Sequence, residues 1–321
     1  MSVARPVLEV LEPGFLTSVQ DAGRAEAGRW GVPRGGAADS RSLELANALL
    51  GNPPGAAILE ATVVGPLLRA LAKTRVALAG ADLQAYVAET GERLPPGGAV
   101  TLRAGQTLVC RGPSVAGARA CIAVAGGVDV PTVLGSRSTA LGAGFGGLDG
   151  RALRAGDVIR APGDDGAPRG SVTAIPPGGP SDVHLPASGL ATVRITLGPD
   201  ADGPADARIA ALAGTSWFVM PASDRMGVRL QGPSLPVDPG AAERASFGVL
   251  PGAIQVPPDG QPIVLLVDAQ PTGGYPVPAV VARVDLHLLA QLRPGDTVRF
   301  APVAREAAVV ALRAALLRGS R

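Results

Sequence analysis

The feature that most constrains this chain is its punctuation. Short apolar runs, each the length of one strand, are cut at intervals of roughly 8–12 residues by glycine and proline. Gly (44) and Pro (31) are abundant in the 321 residues, and both interrupt helices and strands alike. From about residue 56 to 161 the pattern reads as strand throughout: AAILEATVVG, RVALAG, LQAYVAE, AVTLRAG, TLVC, RACIAVAGG and DVIRA. This spacing favours a barrel or sandwich over alternating strand–helix units.

Helical signals are few. Residues 39–51, DSRSLELANALLG, begin with a capping Asp39 or Ser40, repeat apolar residues at Leu43, Leu45, Ala46, Leu49 and Leu50, and end at Gly51. A short helix is expected near 204–213, and an amphipathic one in REAAVVALRAALLRGSR, whose basic end suits a helix C-terminus. Ahead of the first helix, VLEVLE and FLTSVQ read as two strands around Pro13-Gly14. Residues 162–190 are rich in Gly, Pro, Ser and Asp and read as a linker or surface excursion. Strands resume at ATVRITLG and are expected to run to Phe300. ALRAGDVIRA (152–161) is echoed by QLRPGDTVRF (291–300) and more faintly by TLRAGQTLVC (101–110). The echo predicts a mainly β chain with two similar domains in tandem, 1–190 and 191–321, and a few short helices.

Composition removes several classes of function. Hydrophobic residues make up 46%, charged residues 17%, and the net charge is only +2. The arginines are scattered and aromatics are 3%, which argues against a nucleic-acid partner. No apolar stretch reaches the about 18 residues of a membrane span, and MSVARPVLEVLEPG lacks a signal-peptide core. A soluble cytoplasmic protein is expected. Cys110 and Cys121 lie in apolar strand contexts and read as small buried hydrophobes. His184 and His287 are isolated, without a CxxC or HxxxH pair, so no metal site is expected. GxxxxGK[ST] and GxSxG are absent. No lysine sits beside Met1, Met220 or Met226 as a biotin attachment site would require.

Four stretches carry polar groups that an ordinary strand or turn does not need. In SVQDAGRAEAGRWGVPRGGAAD (18–39), Asp21 and Arg24 end a strand, and a Gly-rich loop leads to a helix N-terminus able to receive an anion or carboxylate. In GSRSTALGAGFGGLDGRALRAGD (135–157), Arg137 offers a planar fork for a carboxylate or phosphate, with glycines that let backbone approach a ligand. In SDRMGVRLQGP (223–233), adjacent Asp224 and Arg225 are placed to hold each other. In GAIQVPPDGQPIVLLVDAQPTGGYPVPAVV (252–281), Gln255 and Gln270 occupy strand positions where a buried amide needs partners. There Thr272 to Tyr275 form a polar tip of the kind found at a barrel mouth.

These stretches in this order resemble the family of 5-oxoprolinase C subunits and biotin-dependent carboxyltransferase domains, which includes allophanate hydrolase subunit 2-like proteins. The matching strings are VQDAGR, GVPRGGAAD, LANALLGNP, ILEAT, AVAGGVDVPTVLGSRST, GFGGLDGRALRAGD, SDRMGVRLQGP, GAIQVPPDGQPIVLLVDAQPTGGYP and QLRPGDTVRF, spanning about residue 8 to 300. AEAGRWG, Pro271 and Val277 depart from the commoner pattern. The resemblance implies two cyclophilin-like β-barrels. It also implies a cytoplasmic complex with homologues of the B and A subunits, which opens 5-oxoproline to L-glutamate with ATP. ATP is then used by the complex rather than by this chain alone, and no cofactor is bound covalently. One alternative within the family is a carboxyltransferase for urea or a related amide, which needs biotin on a partner. Another is a non-enzymatic antagonist of a histidine-kinase inhibitor. The cleft is expected to bring together Asp21, Arg24, Asp224 and Arg225 as catalytic groups, with Arg137, Gln255, Gln270, Thr272 and Tyr275 binding substrate.

Overall fold

A computed structural model describes residues 4–112, 116–162, 189–203, 206–237 and 245–319, with side chains described to Leu316 in the last helix. Among the described residues the chain is mainly β with four α-helices. It divides into two compact units: Met1–Ala25 with Gly35–Leu185, and Glu26–Arg34 with Pro186–Arg321.

The first unit holds β1 (Arg5–Glu12), β2 (Leu16–Gln20), α1 (Ser40–Leu50), β3 (Ile58–Thr62), β4 (Leu67–Ala70) and β5 (Thr74–Gly80). It continues with β6 (Ala85–Val87), β7 (Arg93–Leu94), β8 (Gly98–Leu102), β9 (Thr107–Val109), β10 (Arg119–Val124) and β11 (Val158–Ala161). Two antiparallel sheets result, β11-β1-β4-β9-β6-β7 and β2-β3-β10-β5-β8. Gly14, at φ +74°, sends β1 and β2 into different sheets rather than into a hairpin.

Strand β10 is buried along its whole length because both faces are covered. Ala120, Ile122 and Val124 join the core with Val10, Leu59 and Leu78, whereas Cys121 and Ala123 pack under Leu43, Ala46 and Leu49 of α1. Each large aliphatic side chain so buried contributes about 1.5–3 kcal/mol. Asp39 caps α1 by accepting from Ser42 N (2.9 Å), and Gly51 closes it at φ +69°. Both cysteines are buried and neither forms a disulfide; burial pushes the Cys110 thiol up to about 12. Between residues 125 and 157 the strand reading fails: that stretch is loop, with only two isolated bridges among its described residues.

The second unit holds β12 (Leu190–Leu197), α2 (Ala207–Gly214), β13 (Ser216–Val219), β14 (Gly227–Gln231), β15 (Phe247–Gly248), β16 (Ala253–Gln255) and β17 (Ile263–Leu265). It ends with β18 (Thr272–Gly273), β19 (Ala279–Val281), α3 (Leu286–Ala290), β20 (Thr297–Pro302) and α4 (Arg305–Gly319). Seven of these strands close a barrel in the order β12-β19-β16-β17-β14-β13-β20, sealed by a parallel β12–β20 pair. Alternate residues fill its interior: Val193, Ile195, Trp217, Val228, Leu230, Ile254, Val264, Val298 and Phe300. The buried Trp217 donates its indole N–H to the Leu212 carbonyl of α2 at 3.1 Å. Strands β15 and β18 form a separate two-stranded ribbon.

Two expectations need correction here. The strand pattern does not run unbroken to Phe300, because a 3-10 turn (Arg283–Asp285) and α3 intervene, with His287 buried. Helix α4 has no buried side chain among its described residues, and Val310 and Leu316 stand exposed. Its apolar residues are spread around the axis instead of forming one stripe. The stretch proposed as a linker, with His184, lies almost wholly outside the described residues.

The echoed LRxGD string is one turn built three times. In each copy the Arg N–H is received by the side chain three residues on: Arg154 by Asp157, Arg293 by Asp296 and Arg103 by Gln106, all at 2.7 Å. Each intervening glycine sits near φ +88° and donates to a neighbouring carbonyl, of Val10, Val219 or Ala70. Two copies lie in the first unit and one in the second, so the string marks a recurrent way of entering a strand. Arg151 grips Asp157 through both carboxylate oxygens (2.7 and 2.9 Å) and holds that carboxyl below its ordinary range. A Cβ on Gly156 would meet no atom within 4 Å. Gly156→Ala is therefore expected to cost only the left-handed backbone penalty, about 1–2 kcal/mol, read as a lower denaturant midpoint with an unchanged slope. An unchanged midpoint would refute this account of the turn.

Candidate functional site

In the first unit, the end of β2 meets the loop 133–139 that follows β10. Asp21 organises that meeting. One carboxylate oxygen accepts from Gly23 N (2.8 Å), Ser136 Oγ (2.6 Å) and Ser138 Oγ (2.5 Å), and the other from Arg137 N (2.6 Å). The residue is buried, so these bonds replace the water an ionised carboxylate requires. Arg24 is 2% exposed, donates to the carbonyls of Val133 (3.2 Å) and Ser138, and lies 4.8 Å over the Phe145 ring. Asp21 and Arg24, expected as catalytic groups, are thus both engaged in hydrogen bonds to their own chain.

The same loop presents Arg137 outward. Its Nε donates to the Val130 carbonyl (2.9 Å) and its Nη2 reaches Asp129 at 3.4 Å, both side chains being partly exposed. Arg137 lines a pocket of about 310 Å³ with Gly55, Gly126, Gly127, Val128 and Asp129. That volume lies at the small end of ligand pockets.

Two sequence expectations are met here by contacts within the chain. The donors of the Gly-rich loop and helix N-terminus receive the chain's own carboxylates: Asp39 accepts at the start of α1, and the buried Glu60 of β3 takes the Ala38 N–H at 2.7 Å. Internal carboxylates have claimed those donors. The glycines of GFGG also serve the chain itself. A Cβ on Gly146 or Gly147 would collide with Ser138 or Thr139, so the run is glycine because it packs on the loop that Asp21 holds.

In the second unit, Asp224 and Arg225 do not pair. Asp224 caps its turn, accepting from Met226 N (2.8 Å) and Gly227 N (3.3 Å). Arg225 makes a two-pronged bridge to Asp268, Nε at 2.7 Å and Nη2 at 3.1 Å. Both partners are largely buried. The turn holds the Asp224 carboxylate against its own backbone N–H groups while Arg225 reaches across to Asp268, so the neighbour in sequence is not the partner in space. Asp268 carried no signal of its own beyond lying in VLLVDAQ, and Ser136, Ser138 and Glu60 were equally unmarked.

Two residues after Asp268 comes the polar tip. Gln270, Thr272 and Tyr275 are exposed, so Gln270 is not the buried strand amide expected. Gln255 is: it ends β16 at 2% exposure, and its Nε2 has no hydrogen-bond partner among the described residues. Leaving a buried donor unpaired costs about 1–3 kcal/mol. Segment Glu26–Arg34 belongs to this unit, and Gly28 in its 3-10 turn packs toward Pro271 beside the tip. That turn carries an exposed Trp30 with the Arg29 guanidinium 4.3 Å from its ring centre.

The chain belongs to the family described as carboxyltransferase domain, subdomain A and B, whose sequence model matches residues 30–302. It is 36% identical over 315 residues to the C subunit of the 5-oxoprolinase of Escherichia coli, covering 95% of this chain and 94% of that protein. The solved protein TTHA0988 is 37% identical with a TM-score of 0.79, covering 94% of this chain. The urea carboxylase of Kluyveromyces lactis is 31% identical with a TM-score of 0.84 over 99% of this chain. The chain spans 57% of the former and 29% of the latter. Among the described residues no helix is long and apolar enough to cross a membrane.

Proposed function

We propose that this chain is the C subunit of an ATP-dependent 5-oxoprolinase, acting with homologues of the A and B subunits to convert 5-oxoproline to L-glutamate. The observation that carries this reading is the end-to-end similarity to the E. coli C subunit, which matches this chain in length as well as in sequence. In the urea carboxylase the matched region is a minor part of a longer chain. The reading takes both units as cyclophilin-like barrels, the form implied by the family strings, and places the complex in the cytoplasm.

The chemistry asked of this chain is recognition and polarisation of a small amide. Amide and guanidinium donors aimed at a carbonyl stabilise the charge that develops on its oxygen as the lactam opens. In the second unit Gln255, Gln270, Thr272 and Tyr275 supply such donors, with Asp224 and Arg225 fixing the backbone that presents them. In the first unit Arg137 offers its guanidinium to an anionic group at the 310 Å³ pocket, and Asp21 and Arg24 hold its loop. ATP is consumed by the assembled complex, and no covalent cofactor is assigned to this chain.

The structural match to urea carboxylase favours a second reading, transfer of a carboxyl group from biotin on a partner to urea or a related amide. The two are separated by co-expressing the chain with its A and B homologues and measuring glutamate release from 5-oxoproline. The expected result is release that requires ATP and all three chains and is indifferent to avidin. Avidin-sensitive consumption of bicarbonate and urea, without glutamate release, would replace the first reading by the second.

A further inference from the structure

The side chain of Gln255 lies on the outer face of the barrel wall. Its neighbour Ile254 fills the barrel interior, while Ala253, on the same side as Gln255, packs with Val249, Leu265, Ala269 and Val277 in a small separate core. An amide in that apolar layer has no evident packing purpose. A methionine there would fill much the same space without stranding a donor.

Gly273 of the β15–β18 ribbon covers this amide. A Cβ on Gly273 would stand 2.5 Å from Gln255 Nε2 and 3.7 Å from Gln270 Nε2, so two amide nitrogens flank one position that only glycine leaves open. The ribbon pairs at two positions, Phe247 with Gly273 and Gly248 with Thr272, and Val249 N adds a bond to the Pro271 carbonyl at 2.9 Å. A ribbon of this length is a unit small enough to open locally.

We propose that Gln255 Nε2 is the seat of a ligand carbonyl oxygen, that Gly273 is glycine to keep that seat reachable, and that the ligand class is small molecules bearing an uncharged amide or lactam group whose carbonyl carries the recognition. This rests on the proposed function only for the choice of 5-oxoproline among such amides. Gln270, exposed beside the same glycine, supplies the second donor to the oxygen, which accepts two. Gln255 is here a binding residue and Gly273 a specificity-determining one.

The test titrates 5-oxoproline, 2-pyrrolidinone and non-denaturing urea onto the full chain, following the side-chain amide resonances of Gln255 and Gln270. The variants are Gln255→Met and Gly273→Ala. In the second, the new methyl meets the end of a flexible side chain, so Gln255 swings aside and the fold survives. Each variant is expected to weaken binding about tenfold or more, as for loss of one hydrogen bond in a closed site. The double variant should lose no more than the single ones, because both act through one donor. Gln255→Met should melt no lower than the parent, since an unpaired amide has been removed. Binding of 2-pyrrolidinone or urea but not of 5-oxoproline would uphold the seat and remove the 5-oxoprolinase reading. Binding of no amide, or equal binding by parent and folded variants, would overturn the seat.

Discussion

Replacing Arg225 with alanine is expected to destabilise the second unit by about 3–5 kcal/mol, the usual consequence of breaking a buried ion pair from one side. The loss comes less from the missing guanidinium than from what stays behind. The Asp268 side chain is 14% exposed and receives both prongs of Arg225, at 2.7 and 3.1 Å. Without them a nearly dry carboxylate has no counter-charge. The backbones are joined at the same place, Asp268 N to Arg225 O at 3.0 Å and Leu266 N to Met226 O at 2.9 Å, so the damage spreads to the strand leading to Gln270. Activity of the assembled complex should fall with it. Replacing both partners, Arg225→Met with Asp268→Leu, should recover much of the stability, because two apolar groups leave no charge stranded. Denaturant unfolding of both variants checks this. A single variant within about 1 kcal/mol of the parent would mean that the bridge is no more than a surface contact.

Asp21→Ala should be comparably severe in the first unit, about 3–5 kcal/mol. Hydrogen bonds to a charged acceptor are worth about 1.5–3 kcal/mol each, and they are not additive within one network. Four donors lose their acceptor together: Gly23 N, Ser136 Oγ, Ser138 Oγ and Arg137 N. The hydroxyls can turn elsewhere, but the two backbone N–H groups cannot. Asp21→Asn should cost less, yet still more than a surface change, because its NH2 group must face one of those donors. Arg137, whose own N–H is among the four, should then lose its fixed place at the pocket rim. Unfolding curves of the two variants supply the ranking, and an alanine variant as stable as the parent would contradict it.

Much of the fold was legible because it depends on local chemistry. Asp39 and Gly51 bound α1 as a capping residue and a left-handed glycine should. Turn glycines cut the strands where the sequence placed them, and Cys110 and Cys121 are buried as their apolar neighbours required. What was not legible depends on pairing across the sheet. Nothing in SDRMG indicates that Arg225 reaches Asp268, 43 residues on, rather than its neighbour Asp224. Nothing in GSRST indicates that its serines turn back to Asp21, more than a hundred residues earlier. GFGG looked like a ligand loop and is a packing device, because a glycine needed for close approach reads the same whichever group approaches. Of the two glutamines singled out, strand position was right for Gln255 and wrong for Gln270, which falls just beyond β17 in the turn before β18.

The most direct test offers 5-oxoproline with ATP, and urea with bicarbonate and ATP, in parallel to the complex assembled with this chain and to the same preparation lacking it. The account predicts glutamate release from 5-oxoproline only where the chain is present, and no carboxylation of urea. Glutamate release that persists without the chain, or urea carboxylation that depends on it, would contradict the account.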